Sequence, residues 1–364
     1  MWSPFGKNKP GSKPVVGSGV GPAPATDAPL AIGLPQASEA VNKAVAGGCQ
    51  LDLTARVSPL VRVNHQMRGT KLSARYGEFL QNSKPAQMQV VEQLVPLLTV
   101  PRRPSAAERW AEQQDNEAAA RALLREVPPN EWGYFMPLAP GLGTLGAVGS
   151  LTVPQATSRW RSLYRLNFIM DGVSQLVGGR LDGLSLLDIA CNWGAFAIEA
   201  ALRGAQEVDG FDIRTQNIER ARRLSGYFGT EANTRFSVAD VYEFQPQRTY
   251  DIVLNLGLMY HITKPYELVR ATHALCKHMA VFDTVVHREP FSGFILGTGE
   301  HAPEHAATAT GCELHPTYRA LIELAYLAGF KEVIELQGEP DPAWAGFKTD
   351  PYGVGQRRCI VAFK

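Results

Sequence analysis

The chain has 364 residues, of which 45% are hydrophobic and 20% are charged, and its formal net charge is +1. This length and apolar content suffice for a large catalytic domain plus an additional domain, and the near-neutral charge gives no support to wholesale nucleic-acid binding. The five cysteines are scattered without a C-x-x-C pair. They argue against a disulfide framework or a cysteine zinc site and favour a reducing, cytoplasmic location.

The first third of the chain is predicted to hold a tail and a helical domain. Residues 1–35 are rich in Gly, Pro and Ala, so we expect a disordered tail without a signal peptide. Residues 36–130 predict an α-helical N-terminal domain with helices at 76–82, at 85–98 and after a capping box formed by Ser105 and Glu108. No run of 18 apolar residues occurs, so no membrane span is expected.

Residues 131–154 form a connector that is apolar yet rich in Gly and Pro. One interpretation is a lid whose aromatic residues close over an active site and exclude water. The other is a loop packed against the seam between domains. The sequence leaves both open.

Residues 186–197 predict a buried strand, a tight turn and a helix. Such a turn points unpaired backbone amides into the crevice beyond the carboxyl end of a sheet. The next strand, 207–213, brings Asp212 to that edge, where a carboxylate can accept hydrogen bonds from ribose hydroxyls. Between Asp188 and Gly194 only Gly194 is a glycine, so the G-x-G-x-x-G spacing of a nicotinamide-dependent dehydrogenase is missing.

Further elements follow in order along the chain. Asp240 follows a third strand, and residues 249–265 predict a fourth strand and the loop after it, with Gly257, Tyr260 and His261 in this range. A fifth strand is predicted at 280–286 and a helix at 318–329. Two last strands are predicted at 331–336 and 357–363.

This ordered series resembles the class I S-adenosylmethionine-dependent methyltransferases over residues 155–364. The resemblance implies a doubly wound, seven-stranded Rossmann-like α/β sheet with an antiparallel last strand. It also implies S-adenosylmethionine as cofactor and S-adenosylhomocysteine as product. The Gly-x-x-Tyr-His segment is similar to the branch of the wobble-uridine tRNA methyltransferase-like proteins and their small-molecule relatives. The chain departs from the family at Ala190 and Asn192, where glycine is usual.

The resemblance also assigns parts of the cofactor to parts of the chain. It implies that the first turn holds the methionine moiety, that Asp212 holds the ribose and that Asp240 contacts the adenine. The sulfonium could also lie against the aromatic faces of Trp193 and Tyr260, although both rings could equally be pocket walls. The candidate cofactor-binding residues are Asp188, Ala190, Asn192, Trp193, Gly194, Asp212, Ile213, Asp240, Val241 and Asn255.

The candidate catalytic residues are His261, Tyr260 and His287. His261 is the best-placed base, because it follows the fourth strand and imidazole titrates near neutral pH. It could instead cap the strand end or orient the acceptor. His287 and Asp283 come second, and a carboxylate or thioether acceptor would need no base.

Residues 301–305 fit the H-x-x-E-H pattern of inverted zinc peptidases, which needs both histidines on one helix. Pro303 disfavours that helix, so no metal site is expected.

The predicted function is therefore methyl transfer to a small-molecule acceptor by in-line displacement. Helical domains added to such enzymes cover the acceptor pocket or build a homodimer, and either role is open here. One alternative is methylation of tRNA, which a locally dense set of basic residues would favour. A solvated helix face explains those residues equally well. They are Arg159, Arg161, Arg165, Arg220, Arg222 and Arg223. Another alternative, motivated by Ala190 and Asn192, is a scaffold that binds the cofactor without chemistry.

Overall fold

The computed structural model describes residues 95–245, 248–287, 289, 291–297, 313–339, 351–353 and 355–364. The α-helices of these residues are α1 Ala106–Gln113, α2 Glu117–Glu126, α3 Val153–Leu176, α4 Ala195–Leu202, α5 Thr215–Phe228, α6 Pro265–Leu275 and α7 Tyr318–Leu327. The strands are β1 Leu97–Val100, β2 Pro137–Ala139, β3 Leu142–Gly143, β4 Gly146–Ala147, β5 Ser185–Ile189, β6 Glu207–Asp212, β7 Thr234–Val238, β8 Tyr250–Leu256, β9 Cys276–Val285, β10 Phe294–Gly297, β11 Glu313–Pro316, β12 Glu332–Gly338 and β13 Arg357–Phe363.

The central sheet has, in the described ranges, the strand order β1-β12-β13-β9-β8-β5-β6-β7. Only β13 runs antiparallel to its neighbours, and the other pairings are parallel. The chain moves outward from β5 through β6 to β7 and then returns to the other side of β5 as β8. The carboxyl ends of β5 and β8 therefore flank the topological switch point, where ligands bind in doubly wound folds.

Both faces of this sheet are covered, as the apolar sequences of its central strands require. Successive side chains of a strand point to opposite faces. Accordingly, Leu186 belongs to a core packed against α3 and α4, and Leu187 belongs to a second core packed against α6 and α7. The predicted doubly wound α/β fold is confirmed. The last two strands and the antiparallel direction of β13 also lie where they were predicted.

The sheet has an eighth strand, because β1 pairs in parallel with β12. The predicted helix at 85–98 is thus wrong at Leu97 and Leu98. Pro96 and Pro101 bracket this segment, and a proline inside a helix removes an amide donor and clashes with the preceding turn. The remainder of that helix, the helix at 76–82 and the tail at 1–35 lie outside the described residues.

The capping box is present, since the Ser105 and Glu108 side chains each accept a backbone N–H of the other residue. The helix that it opens ends at Gln113, and a second helix begins at Glu117. Trp110 of α1 packs on Tyr227 and Phe228 of α5 with ring centroids 5.3 and 4.6 Å apart. Helices α1 and α5 therefore pack together on the same core as the sheet.

The connector is a small three-stranded sheet, β2–β4, and not an extended loop. Trp132 and Met136 are buried, and a side chain at Gly143 would lie within 2.3 Å of the Phe135 ring. This packing supports the interpretation of the connector as a packed segment over that of a lid.

Candidate functional site

The turn after β5 is built from left-handed residues at alternate positions. Ala190, Asn192 and Gly194 have φ angles of 54°, 53° and 80°. A Cβ at Gly194 would lie 2.8 Å from the Phe236 ring, so glycine is required there both for conformation and for space. The backbone N–H groups of Cys191 and Gly194 bond to the carbonyls of Phe211 and Cys191, so the expectation of unpaired amides does not hold at these two positions.

Ala190 stores backbone strain, because an L-residue in the left-handed region costs roughly 1–2 kcal/mol. We expect Ala190→Gly to raise the free energy of unfolding by about 0.5–1 kcal/mol, after the greater chain entropy of glycine is subtracted. Thermal denaturation measures the change. Asn192→Gly is the matched variant and should stabilise less, since Asn tolerates this region better. A lower melting temperature of Ala190→Gly would contradict the strain argument.

Asp212 joins the turn after β5 to the turn after β6. Its side chain is 3% exposed, and Oδ2 accepts the backbone N–H of Asn192 at 3.0 Å. Oδ1 accepts the backbone N–H of Arg214 at 2.9 Å and the side-chain amide of Asn217 at 3.2 Å. The next residue, Ile213, is 54% exposed, an apolar surface at the edge of the crevice.

Asp240 lies beside this pair of turns, since the backbone N–H of Ala239 bonds to the carbonyl of Asp212 at 3.1 Å. Its carboxylate accepts the backbone N–H of Tyr242 at 2.7 Å, the geometry of a turn cap. Asp240 and Val241 are half-buried. Val241 and Ile213 therefore present apolar surface on neighbouring turns at the sheet edge.

Three buried polar groups at the carboxyl ends of β5 and β8 lack hydrogen bonds within the described part of the chain. They are Asp188 Oδ2, Asn255 Oδ1 and Trp193 Nε1. Burial raises the pKa of Asp188 to about 7, although nearby Arg165 acts in the opposite direction. A buried polar atom left without a partner costs about 1–3 kcal/mol, so Asp188 and Asn255 are suited to bind a polar ligand.

The Trp193 indole is buried in the core. It is 2% exposed and packs edge-on against Trp132 of the connector with ring centroids 5.5 Å apart. Tyr134 is 6.2 Å from Trp193 and remains 47% exposed. The backbone of residue 193 stays in the turn, whereas its side chain is part of the core.

A buried ion cluster lies beyond the ends of β8 and β9. Asp283 is fully buried, and its Oδ2 accepts hydrogen bonds from Nε of Arg165 at 2.6 Å and from Nε of Arg357 at 2.9 Å. The Tyr352 hydroxyl donates to Oδ1 at 2.8 Å. Burial opposes the charged form, but the two guanidinium groups outweigh it and hold the pKa of Asp283 below its usual value. Asp283 is therefore an ion-pair partner, and its prediction as a second-choice base is not supported.

Both guanidinium groups lie over the backbone of Gly257, where a Cβ would be 3.2 Å from Arg357 and 3.3 Å from Arg165. Two cations share the single carboxylate of Asp283. This corner of the crevice therefore has positive potential.

The three predicted catalytic residues lie in one neighbourhood. The rings of Tyr260 and His261 are 4.0 Å apart in the 3-10 turn Met259–His261, and His287 is 5.6 Å from His315, which in turn is 5.6 Å from Tyr260. Burial lowers the pKa of His261 to about 4, with Glu313 opposing the shift and Arg214, Arg357 and His315 adding to it. His261 is therefore a neutral imidazole at physiological pH.

Residues 186–280 match the sequence profile of a family described as a methyltransferase domain. The match begins in β5 and ends in β9, so it spans the crevice described above. Residues 186–280 are thus a methyltransferase domain.

Two curated proteins that share the name ubiquinone biosynthesis O-methyltransferase are similar to this chain. The chain is 29% identical over 136 residues to the ubiquinone biosynthesis O-methyltransferase of Bordetella bronchiseptica, covering 37% of this chain and 56% of that protein. It is 31% identical over 142 residues to the protein of the same name from Leptothrix cholodnii, covering 38% and 59%. The chain thus spans somewhat more than half the length of these curated relatives. The resemblance to the wobble-uridine branch stays a prediction.

The fold also resembles solved structures at low identity. One is the magnesium protoporphyrin IX methyltransferase of Synechocystis PCC 6803 with bound S-adenosylmethionine. It is 16% identical, with a TM-score of 0.42, and the match covers 59% of this chain and 86% of that one.

Several functional candidates of the methyltransferase domain were missed by the sequence analysis. Glu313 and His315 are alternate residues of β11 and share one face, a signal visible in the Glu-x-His spacing. Arg357 was not predicted, and Arg165 was named only among the basic residues that would favour RNA, because their common partner Asp283 is far from both in sequence.

The described residues were also compared with the expectations for metal sites, cysteines and membrane-spanning helices. Within the described ranges no group of three or more His, Cys, Asp or Glu side chains could hold a metal ion. The H-x-x-E-H segment at 301–305, Cys49 and Cys312 lie outside those ranges, and the other three cysteines are buried free thiols. No helix in the described residues is long and apolar enough to cross a bilayer.

Proposed function

We propose that this chain transfers the methyl group of S-adenosylmethionine to a small-molecule acceptor. The observation that carries the proposal is the left-handed turn at Ala190, Asn192 and Gly194, tied by Asp212 to the next strand. In this domain, the cofactor supplies an activated methyl group, so the protein needs only to align the acceptor, exclude water and accept a proton where the acceptor has one.

The residues at the crevice fit the cofactor in charge and in polarity. The vacant Oδ2 of Asp188 suits the cofactor's ammonium group, and the guanidinium of Arg165 suits its carboxylate. Asp212 retains lone pairs for the ribose hydroxyls, because a carboxylate has about four acceptor sites and three are in use. Ile213 and Val241 would flank the adenine, with Asp240 at its edge.

The crevice also contains side chains suited to bind an acceptor and to accept its proton. His261 is the proposed base, Tyr260 is a wall beside it, and His287 borders the same space. The relatives named above are O-methyltransferases by name, which favours a small-molecule acceptor over RNA. A homodimer stays a prediction.

The arginines that favoured RNA are engaged within the chain. Arg220 pairs with Glu131, Arg223 pairs with Glu126, and Arg222 donates to the carbonyl of Phe236 at 2.7 Å. Arg165 pairs with Asp283, and its side chain is only 19% exposed within the crevice, which suits a small anion and not a phosphate backbone. Few remain to track a phosphate backbone.

The test uses cofactor labelled in its methyl group, incubated with the protein and either a small-molecule cell extract or bulk tRNA. Label in small molecules, and none in tRNA, is the expected result. Label in tRNA that declines with added salt would favour the RNA alternative. Cofactor binding without transfer to either fraction would favour the scaffold alternative.

A further inference from the structure

A glutamate from a distant hairpin faces the proposed base. The hairpin of β10 and β11 brings Glu313 over the 3-10 turn that holds His261. Glu313 Oε1 is 3.5 Å from Nδ1 of His261, and Oε2 is 2.8 Å from Nε2 of His315. The side chains of His261 and Glu313 are each 16% exposed, so the pair is largely shielded from water.

We propose that Glu313 is a positioning residue that holds His261 as a base for an acceptor hydroxyl, an inference that rests on the proposed function. A carboxylate facing Nδ1 favours the tautomer with the proton on Nδ1. In that tautomer, Nε2 is the ring nitrogen that can accept a proton from the acceptor. Contacts between a base and its orienting carboxylate are often long before substrate binds and shorten in the complex.

The surrounding charges select the class of acceptor. Besides Glu313, the groups that act on His261 are Arg214, Arg357, His315 and the adjoining ring of Tyr260. Arg357 lies over the Tyr260 ring at 5.8 Å and shares Asp283 with Arg165. Positive potential stabilises negative charge that develops on an oxygen as its proton leaves, whereas it disfavours the cation that an attacking amine forms. The acceptor is therefore a weakly acidic hydroxyl compound, such as a phenol or an enol.

The step balances in atoms and in charge. The acceptor hydroxyl gives its proton to Nε2 of His261 while its oxygen forms a bond to the methyl carbon. The electron pair of the broken carbon–sulfur bond stays on sulfur, so S-adenosylhomocysteine leaves as a neutral thioether. The positive charge that began on the sulfonium ends on the imidazolium of His261, where the carboxylate of Glu313 offsets the unfavourable effect of Arg214 and Arg357 on that cation.

The tautomer can be tested in the cofactor-free protein by the ¹⁵N chemical shifts of the His261 ring at neutral pH, assigned by their loss in His261→Gln. We expect Nδ1 to carry the proton in the wild type and in Glu313→Gln, whose amide oxygen can still accept it. Glu313→Leu should move the proton to Nε2, and the control His278→Gln, at a position in β9 near Asp251, should leave the tautomer of His261 unchanged. A wild-type ring protonated on Nε2, or no change in Glu313→Leu, would overturn the positioning role.

The acceptor class is tested with ¹³C-methyl cofactor in the same small-molecule extract. The ¹³C shift of the transferred methyl group should be that of a methyl ether and not of a methyl ester, and the yield should fall at least tenfold in Glu313→Leu but less in Glu313→Gln. A methyl group on nitrogen, sulfur or carbon would overturn the inference and leave the proposed function standing. Failure of the proposed function would instead be seen as absent cofactor binding, while the tautomer result remained readable.

Discussion

His261→Ala is expected to lower kcat by roughly 10²–10⁴-fold, the usual contribution of a positioned general base. The imidazole lies in the crevice next to Tyr260 and Glu313, so its loss removes the proton acceptor without emptying the core. KM for the cofactor should change little, because the cofactor-binding turns are formed by other residues. Steady-state kinetics with labelled cofactor and the acceptor found by the screen measure both parameters.

His278→Ala is the matched control, since this histidine lies in β9 near Asp251, seven residues before the end of that strand. It should keep wild-type kcat. A His261→Ala enzyme within threefold of wild type would show that no base acts at this position. The histidine would then orient the acceptor instead.

The same residue sets the acid limit of activity. Because burial lowers the pKa of His261 to about 4, the ring keeps its basic form well below the ordinary value of 6.5. The pH dependence of kcat/KM reports the free enzyme, so kcat/KM should stay level from pH 7 down to about pH 5 and fall below that. A fall centred near pH 6.5 would contradict the desolvated environment of His261.

Asp283→Ala is expected to destabilise the fold by about 3–5 kcal/mol, the range found when one partner of a buried ion pair is removed. Asp283 is fully buried, and its removal leaves the guanidinium groups of Arg165 and Arg357 facing each other without a counter-charge. Urea denaturation followed by circular dichroism measures the loss. If the alanine variant does not fold, Asp283→Asn keeps the shape and hydrogen-bond acceptor and should still be less stable than wild type.

The pH dependence of that difference has a definite sign. The folded pKa of Asp283 lies below its unfolded value of 3.8, so the charged carboxylate stabilises the native state above pH 3.8. This stabilisation is lost as the pH falls through the folded pKa. The gap between wild type and Asp283→Asn should therefore be constant near neutrality and shrink below about pH 4. A constant gap down to the lowest pH at which both proteins fold would contradict the ion-pair account.

The cofactor half of the crevice was predictable from the sequence because its signals are local. The run from Asp188 to Gly194 follows one strand directly, and its alternate residues are the ones with positive φ. Asp212 follows the next strand, and parallel strands bring their carboxyl ends to one edge. The pattern departs from glycine at Ala190, yet the backbone there keeps the left-handed turn.

The acceptor half depends on contacts that a linear pattern does not contain. Asp283 is joined to Arg165 and Arg357, which are 118 and 74 residues away in the chain. Glu313 reaches His261 only because a hairpin folds back over the turn. The edge strand β1 was missed for a related reason, since four residues between two prolines are stabilised by pairing with β12 and not by their own periodicity.

The most direct test of the cofactor site is calorimetric titration of S-adenosylhomocysteine into the wild type, Asp212→Ala and Asp209→Asn, with NAD as the control ligand. Asp209 belongs to the same strand but pairs with Arg235 and Arg248, so it controls for loss of an acid from β6. Thermal unfolding of each variant identifies any loss of fold. The expected result is micromolar binding to the wild type and to Asp209→Asn, at least tenfold weaker binding to Asp212→Ala, and none of NAD. A folded wild type that does not bind S-adenosylhomocysteine, or an Asp212→Ala variant that binds it as tightly as wild type, would contradict it.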